Sequence, residues 1–250
     1  MVFQREIPDD FLLRKLYQEW IDPDKVFHNQ DRSGYYTACA REMAQVVSFL
    51  SRPPNQLRVL DFGMGWGRWC LMAKAFGCDV YGTELSAARI KHARSNGIKV
   101  IAYDKISGYR FDFINAEQIF EHLPEPLGTL KHLSQLLKPK GFVKISVPDG
   151  SDIRRRLRIM DWNAPKGSRN SLNPVSPLEH INCFDHRSLS RMAGICALKA
   201  VRMPLRIQYV LMDWGTPKQA LRSLFGPLYR RIHWKSTYQF FRKTTNQNDE

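Results

Sequence analysis

From Leu57 onward, short apolar runs alternate with stretches whose apolar residues recur at helical spacing. A parallel sheet covered by helices on both faces leaves that pattern in a sequence. Leu57 to Phe62 predicts a first strand, Gly63 to Gly67 a turn, and Arg68 to Phe76 a helix closed by Gly77. Asp79 to Thr83 predicts the second strand, followed by a helix capped by Ser86 and ended by Asn96 and Gly97. Ile98 to Ala102 and Phe111 to Ala116 predict the third and fourth strands. Leu127, Leu130, Leu133 and Leu137 then recur as one helix face, stopped at Lys138-Pro139-Lys140-Gly141, and Phe142 to Val147 predicts a fifth strand.

Two helices, Phe11 to Trp20 and about Tyr36 to Leu50, precede this core and end at Pro53-Pro54. Gly150 to Pro177 reads as an inserted loop, with Arg154, Arg155, Arg156 and Arg158 followed by a Gly, Asn, Ser and Pro-rich stretch. Leu189 to Ala197 predicts a helix and Leu198 to Met212 one or two strands. Thr216-Pro217 starts a helix whose stripe of Leu221, Leu224, Phe225, Leu228 and Ile232 is interrupted at Gly226-Pro227. Arg222, Arg230, Arg231, Lys235, Arg242 and Lys243 surround that stripe. The predicted fold is α/β, a doubly wound, mostly parallel seven-stranded sheet. Its divisions are an N-terminal helical cap (1–54), a core (55–149), an inserted substrate-side segment (150–185), the end of the core sheet (186–214) and a basic amphipathic tail (215–250).

Composition narrows the classes. At 250 residues, 43% of them hydrophobic, the chain can bury one sizeable core. No stretch free of Asp, Glu, Lys and Arg exceeds nine residues, far short of the ~20 apolar residues of a membrane-spanning helix. Arg5, Glu6, Asp9 and Asp10 fall where a secretory leader needs an apolar run. Five scattered cysteines without zinc spacing read as reduced thiols, which points to the cytoplasm. Charge is lopsided. Residues 1–150 hold twenty Lys or Arg against seventeen acids, a net +3, and residues 151–250 hold eighteen against seven, a net +11.

The strongest chemical signal is Val59-Leu60-Asp61-Phe62-Gly63-Met64-Gly65-Trp66-Gly67, a strand entering a turn with glycine at every second position. Such glycines let a ligand press on the backbone, and the amides opening the next helix bind a polar or anionic group. Glu84, twenty-one residues after Gly63, ends the second strand, where an acid accepts hydrogen bonds from ribose hydroxyls. The glycine spacing departs from the dinucleotide pattern, and Asp61 would repel a pyrophosphate. A donor carrying a cationic amine and a sulfonium instead gains from a carboxylate there.

Residues from about Val59 to Val147 resemble the class I S-adenosylmethionine-dependent methyltransferase family. Asp61 to Gly67 is similar to its first motif and Tyr81-Gly82-Thr83-Glu84-Leu85-Ser86 to its second-strand motif. Phe111-Asp112-Phe113-Ile114, Glu121-His122-Leu123 and Leu137 to Gly141 resemble the fourth and fifth. Pro177 to Phe184 resembles a segment of small-molecule and sugar-modifying members, and Lys140 stands where glycine is more usual. The resemblance implies S-adenosyl-L-methionine as cofactor, a Rossmann-like fold, and methyl transfer to an oxygen or nitrogen of a small molecule such as a sugar or lipid-linked glycan. It places Gly63 and Gly65 near the methionine part, Glu84 on the ribose, Asp104 at the adenine edge, and Asn115 and Glu117 along the methionine part. For a hydroxyl acceptor, His122 and His180 are the candidate bases, the latter oriented by Glu179 or Asp185.

Two other classes stay open on the residues alone. An NAD-dependent oxidoreductase or epimerase shares the strand, the turn and the ribose acid. A non-catalytic protein binding polyanions or a membrane surface through the basic tail fits the charge. Nucleic acid is disfavoured as a partner, because the chain lacks an aromatic RNA-binding signature as well as Asn-Pro-Pro-Tyr and Pro-Cys pairs.

Overall fold

The computed structural model describes residues 2–15, 33–210, 216–232 and 236–244. In chain order, β1 (Val2–Phe3), α1 (Asp10–Lys15) and α2 (Ser33–Leu50) precede β2 (Arg58–Phe62), α3 (Arg68–Ala75), β3 (Asp79–Thr83), α4 (Ala87–Ser95) and β4 (Lys99–Val100). The chain continues through β5 (Phe111–Glu117), α5 (Pro126–Gln135), β6 (Leu137–Ser146), α6 (Ile153–Ile159), β7 (Asn182–Cys183) and α7 (His186–Ile195). It closes with β8 (Leu198–Val201), α8 (Leu205–Gln208), α9 (Pro217–Ile232) and β9 (Tyr238–Lys243).

Seven strands form one sheet in the order β4-β3-β2-β5-β6-β9-β8, and β1 pairs antiparallel with β7 in a separate ribbon. Strands β2 to β6 run parallel, whereas β9 is antiparallel to both of its neighbours, β6 and β8. Helices on both faces explain why β2 and β5 are almost wholly buried and read as continuous apolar runs. Leu60, Ile114, Val143 and Ile145 face α5 and α7 on one side; Val59, Phe113, Phe142 and Phe240 face α2 and α3 on the other.

That second face changes character towards the carboxyl ends of the strands. Side chains alternate along a strand, so one pleat beyond Val59, Phe113 and Phe142 come Asp61, Asn115 and Lys144. Asp61 pairs with Asn115 across β2 and β5, and Asn115 with Lys144 across β5 and β6. The result is a buried polar row at one level of three adjacent strands. At the opposite end, buried Asp112 receives Arg52 Nη1 at 2.6 Å, Lys138 Nζ at 2.7 Å and the Arg58 amide at 2.8 Å, which ties the strand starts together.

Several elements differ from the sequence expectation. The third strand shrinks to two residues, and α6 forms within the segment expected to be a loop. After β8, Pro204 opens the short helix α8 where a strand was expected. The seventh strand of the sheet lies at Tyr238–Lys243, inside the expected tail, so the sheet does not end within 186–214. Arg242 and Lys243 therefore belong to the sheet: the Arg242 guanidinium lies 4.8 Å from the centre of the Phe49 ring. Helix α9 runs through Pro227 without the expected break. It leaves Leu221, Leu224, Phe225 and Leu228 exposed. Lys235, the side chains of Arg222, Arg230, Arg231 and Ile232, and the part of the first predicted helix beyond Lys15 lie outside the described residues. Lys140 takes the left-handed conformation, φ +64°, that a glycine would adopt there. Among the described residues no helix is long and apolar enough to cross a membrane.

Candidate functional site

The glycine turn and Glu84 follow the carboxyl ends of β2 and β3, and Glu117 is the last residue of β5, at the edge where a doubly wound sheet holds its ligands. Gly63, Gly65 and Gly67 have φ of +77°, +55° and +74°, a conformation that L side chains resist. Their surroundings differ. A Cβ on Gly63 would overlap the Ile119 side chain, and one on Gly67 would come 2.7 Å from Ile98 Cδ1. These two glycines make room for the protein's own packing. A Cβ on Gly65 meets nothing within 4 Å, so Gly65 alone of the three opens onto space for a ligand. Gly82, in the second-strand motif, makes room for Met64, whose Sδ would overlap an added Cβ.

Beneath the turn, Asn115 Nδ2 donates to Asp61 Oδ1 at 2.8 Å, and the Cys70 thiol lies 3.7 Å from Asp61 Oδ2. Burial pushes the Asp61 carboxyl up to about 7, against the pull of the Asn115 hydrogen bond and the Lys144 charge. Asn115 Oδ1 is buried with no hydrogen-bond partner among the described residues. An acidic oxygen and an orphaned amide oxygen next to an open glycine suit a ligand that brings a cationic amine.

Lys144, in a strand that otherwise reads as core, has no exposed surface. Its Nζ bonds both Glu42 oxygens, at 3.0 and 2.8 Å, and Glu117 Oε2 at 3.0 Å. Burial drives the ammonium down, but the Glu42 and Glu117 carboxylates outweigh it and hold the group above its ordinary value. Trp69 Nε1 donates to Glu42 Oε1 at 2.8 Å, and the Tyr238 hydroxyl donates to Glu42 Oε2. Glu117 thus arrives at the site already paired. Sequence reasoning missed Glu42, Lys144 and Tyr238; the single signal was a lysine between Val143 and Ile145 in a buried strand.

Glu84 is only 11% exposed at its side chain, and its Oε1 accepts from the Leu85 and Ser86 amides at 2.8 and 3.0 Å. This carboxylate opens α4 in place of the expected Ser86 side-chain cap, which does not form. Its Oε2 lies 3.8 Å from Arg89 Nη1. Asp104 sits exposed on the turn Tyr103–Gly108 that follows β4.

The structure brings the two histidines together, with ring centres 4.9 Å apart. His122 closes a short turn, Phe120–His122, just after β5, and His180 comes from the inserted segment. The Glu179 carbonyl holds His122 Nδ1 at 2.6 Å, and the Asn173 carbonyl holds His180 Nδ1 at 2.5 Å. The expected orienting carboxylates do other work: Glu179 accepts from Ser176 Oγ, and Asp185 caps α7. Burial, with the neighbouring His122, pushes His180 down to about 4, and burial likewise lowers His122. Beside them Glu121 is 1% exposed, and burial raises its carboxyl to about 8. A hollow of about 220 Å³, lined by Trp162, Lys166, Asn173 and Ser176 among others, adjoins the pair through Asn173. A larger one of about 500 Å³, between Arg155, Asp161 and Asn170, includes none of the glycine-turn or histidine residues.

A family described as "Methyltransferase domain" matches residues 34–194, which include the glycine turn, Glu84, the polar row and both histidines. The chain belongs to the class I S-adenosylmethionine-dependent methyltransferase family. Among curated relatives of this methyltransferase-family chain, a ubiquinone biosynthesis O-methyltransferase of Ruegeria pomeroyi is 31% identical over 200 residues, 71% of this chain and 77% of the relative. The protein of the same description from Vibrio cholerae is 26% identical over 162 residues, and the chain spans 64% of its length. Among solved structures, the plantazolicin methyltransferase BamL, determined in complex with a triazolic desmethylPZN analogue and S-adenosylhomocysteine (SAH), shares the fold with a TM-score of 0.56. Its identity is 14%, with 92% of each chain covered.

Proposed function

We propose that this chain transfers a methyl group from S-adenosyl-L-methionine to an oxygen or nitrogen of a small molecule held beside His122 and His180. The observation that carries the reading is the buried Asp61–Asn115 pair beneath a glycine with open space above it. Asp61 and Asn115 Oδ1 would hold the donor's amine, Gly65 would lie against its methionine part, and Glu84 Oε2 would take the ribose. The acceptor approaches from the inserted segment, whose hollow at Asn173 and Ser176 adjoins the histidines. Attack on the sulfonium methyl forms the new bond to the acceptor as the carbon–sulfur bond breaks and SAH leaves. Alignment of the two reactants and exclusion of water supply much of the rate. His180 Nδ1 faces the Asn173 carbonyl and so carries a proton, which leaves the Nε2 lone pair of its neutral ring to accept the acceptor's proton. The curated relatives' description as ubiquinone biosynthesis O-methyltransferases favours oxygen over nitrogen.

Calorimetric titration tests this. SAH should bind and NAD should not; failure of SAH to bind the unaltered protein would overturn the proposal. The affinity should also depend on pH through Asp61. Above about 7 the carboxylate is charged and attracts the amine; below it the neutral acid does not, so binding weakens as pH falls through 7. The decline should approach about tenfold per pH unit, the slope of one linked proton, and flatten in Asp61→Asn.

A separate variant addresses the acceptor side. His180→Ala should lower turnover by about 10²-fold or more, the usual scale of a lost proton-transfer group, with SAH affinity within about twofold of the parent. Unchanged turnover would remove His180 from the reaction.

A further inference from the structure

Among the described residues, Glu121, His122 and His180 form a group in which one ligand atom from each lies within 4.8 Å of the others. Two features distinguish it from an accidental cluster. Glu121 is 1% exposed and neither carboxylate oxygen has a hydrogen-bond partner among the described residues, an expensive state for a buried acid that a cation would relieve. The two imidazoles are already fixed by the Glu179 and Asn173 carbonyls on Nδ1, the arrangement that turns a histidine's Nε2 into a metal ligand.

We propose that Glu121, His122 and His180 bind one first-row divalent transition-metal ion, of the zinc, cobalt or iron(II) class, at the acceptor side of the site. Two imidazoles and one carboxylate favour these ions over magnesium or calcium, which prefer oxygen donors. Between Glu121 and His122 the fit needs little movement. His122 Nε2 and Glu121 Oε1 stand 3.8 Å apart, and tetrahedral bonds of about 2.0–2.1 Å would bring ligand atoms to roughly 3.4 Å. Three protein ligands leave a coordination position open, as in catalytic zinc sites. Ile119, which packs against Gly63, immediately precedes the turn carrying Glu121 and His122, so the group lies close to the donor turn.

This inference rests on the methyl-transfer reading for its purpose and takes the place of an imidazole base there: with both Nε2 atoms on the ion, an acceptor hydroxyl bound at the open position would lose its proton to water more readily and attack the methyl as an alkoxide. The binding itself stands apart. In the test, the full-length protein is stripped with a chelator and titrated with Co²⁺, read by calorimetry and by visible absorption. One ion per chain is expected, with ligand-field bands. Glu121→Gln and His180→Ala should each weaken Co²⁺ by at least about 100-fold, the upper end of the loss from removing a mere outer-shell partner. SAH titration and a melting curve on the same samples establish that each variant is folded; His180→Gln stands in should His180→Ala melt out. No stoichiometric uptake, or equal affinity in the folded variants, would overturn the proposal. Cobalt uptake without SAH binding would instead sink the methyl-transfer reading and leave the metal site standing.

Discussion

Gly65→Val should weaken SAH by about tenfold to a hundredfold while leaving the protein folded. The new Cβ enters open space, with no protein atom within 4 Å of it. Holding a non-glycine residue at φ +55° costs about 1–2 kcal/mol, a drop in melting temperature of a few degrees for a chain of this size. A ligand seated against the glycine, by contrast, must be displaced or compressed, which by analogy with overpacking costs about 1–3 kcal/mol. Calorimetry on the purified variant reads the loss directly. Unchanged affinity would show that the donor does not lie against Gly65. The contrast with its neighbour is instructive, since Gly63→Val would drive its side chain into Ile119 and injure the fold before binding is ever tested.

Lys144→Met should be the most damaging single substitution away from the ligand, costing about 3–5 kcal/mol, or about 10 °C in melting temperature. It removes the cation that both Glu42 oxygens share and leaves a carboxylate in a dry interior. Trp69 Nε1 and the Tyr238 hydroxyl still donate to Glu42, which sets the effect towards the lower end of that range. Glu117, 40% exposed at its side chain, can turn to water and adds little. Chemical denaturation measures the difference, and Lys144→Met combined with Glu42→Gln should recover a substantial part by neutralising the stranded acid. A loss below about 1 kcal/mol would mean that the buried pair does not hold α2 to the sheet.

How much of this was legible in the chain follows from how local each feature is. Strand β3 matches its sequence reading residue for residue, and β2 to within one residue, because a parallel strand buried on both faces is a short apolar run with glycine or charge at its borders. The glycine turn and Glu84 were visible for the same reason: they lie within twenty-two residues. Strand β9 was not, since Tyr238–Lys243 mixes adjacent aromatics with Arg242 and Lys243 and is defined by pairing with β6, nearly a hundred residues earlier. Charge alone made it look like a solvated tail. The Lys144–Glu42 pair spans 102 residues, and no periodicity joins two such positions. The histidines were each visible, but their meeting depends on the inserted segment folding back over β5, which only the packed structure records.

The position of β9 reaches into how the molecule comes to exist. Strand β8 touches the rest of the sheet through β9, so neither can join the sheet until residue 243 has been synthesised. Until β9 has been made, β6 therefore waits with an unpaired edge, and such edges invite pairing with other chains. A strand made nearly a hundred residues after β6 thus fills an interior place in the sheet, and until it arrives the nascent chain is open to intrusion by its neighbours.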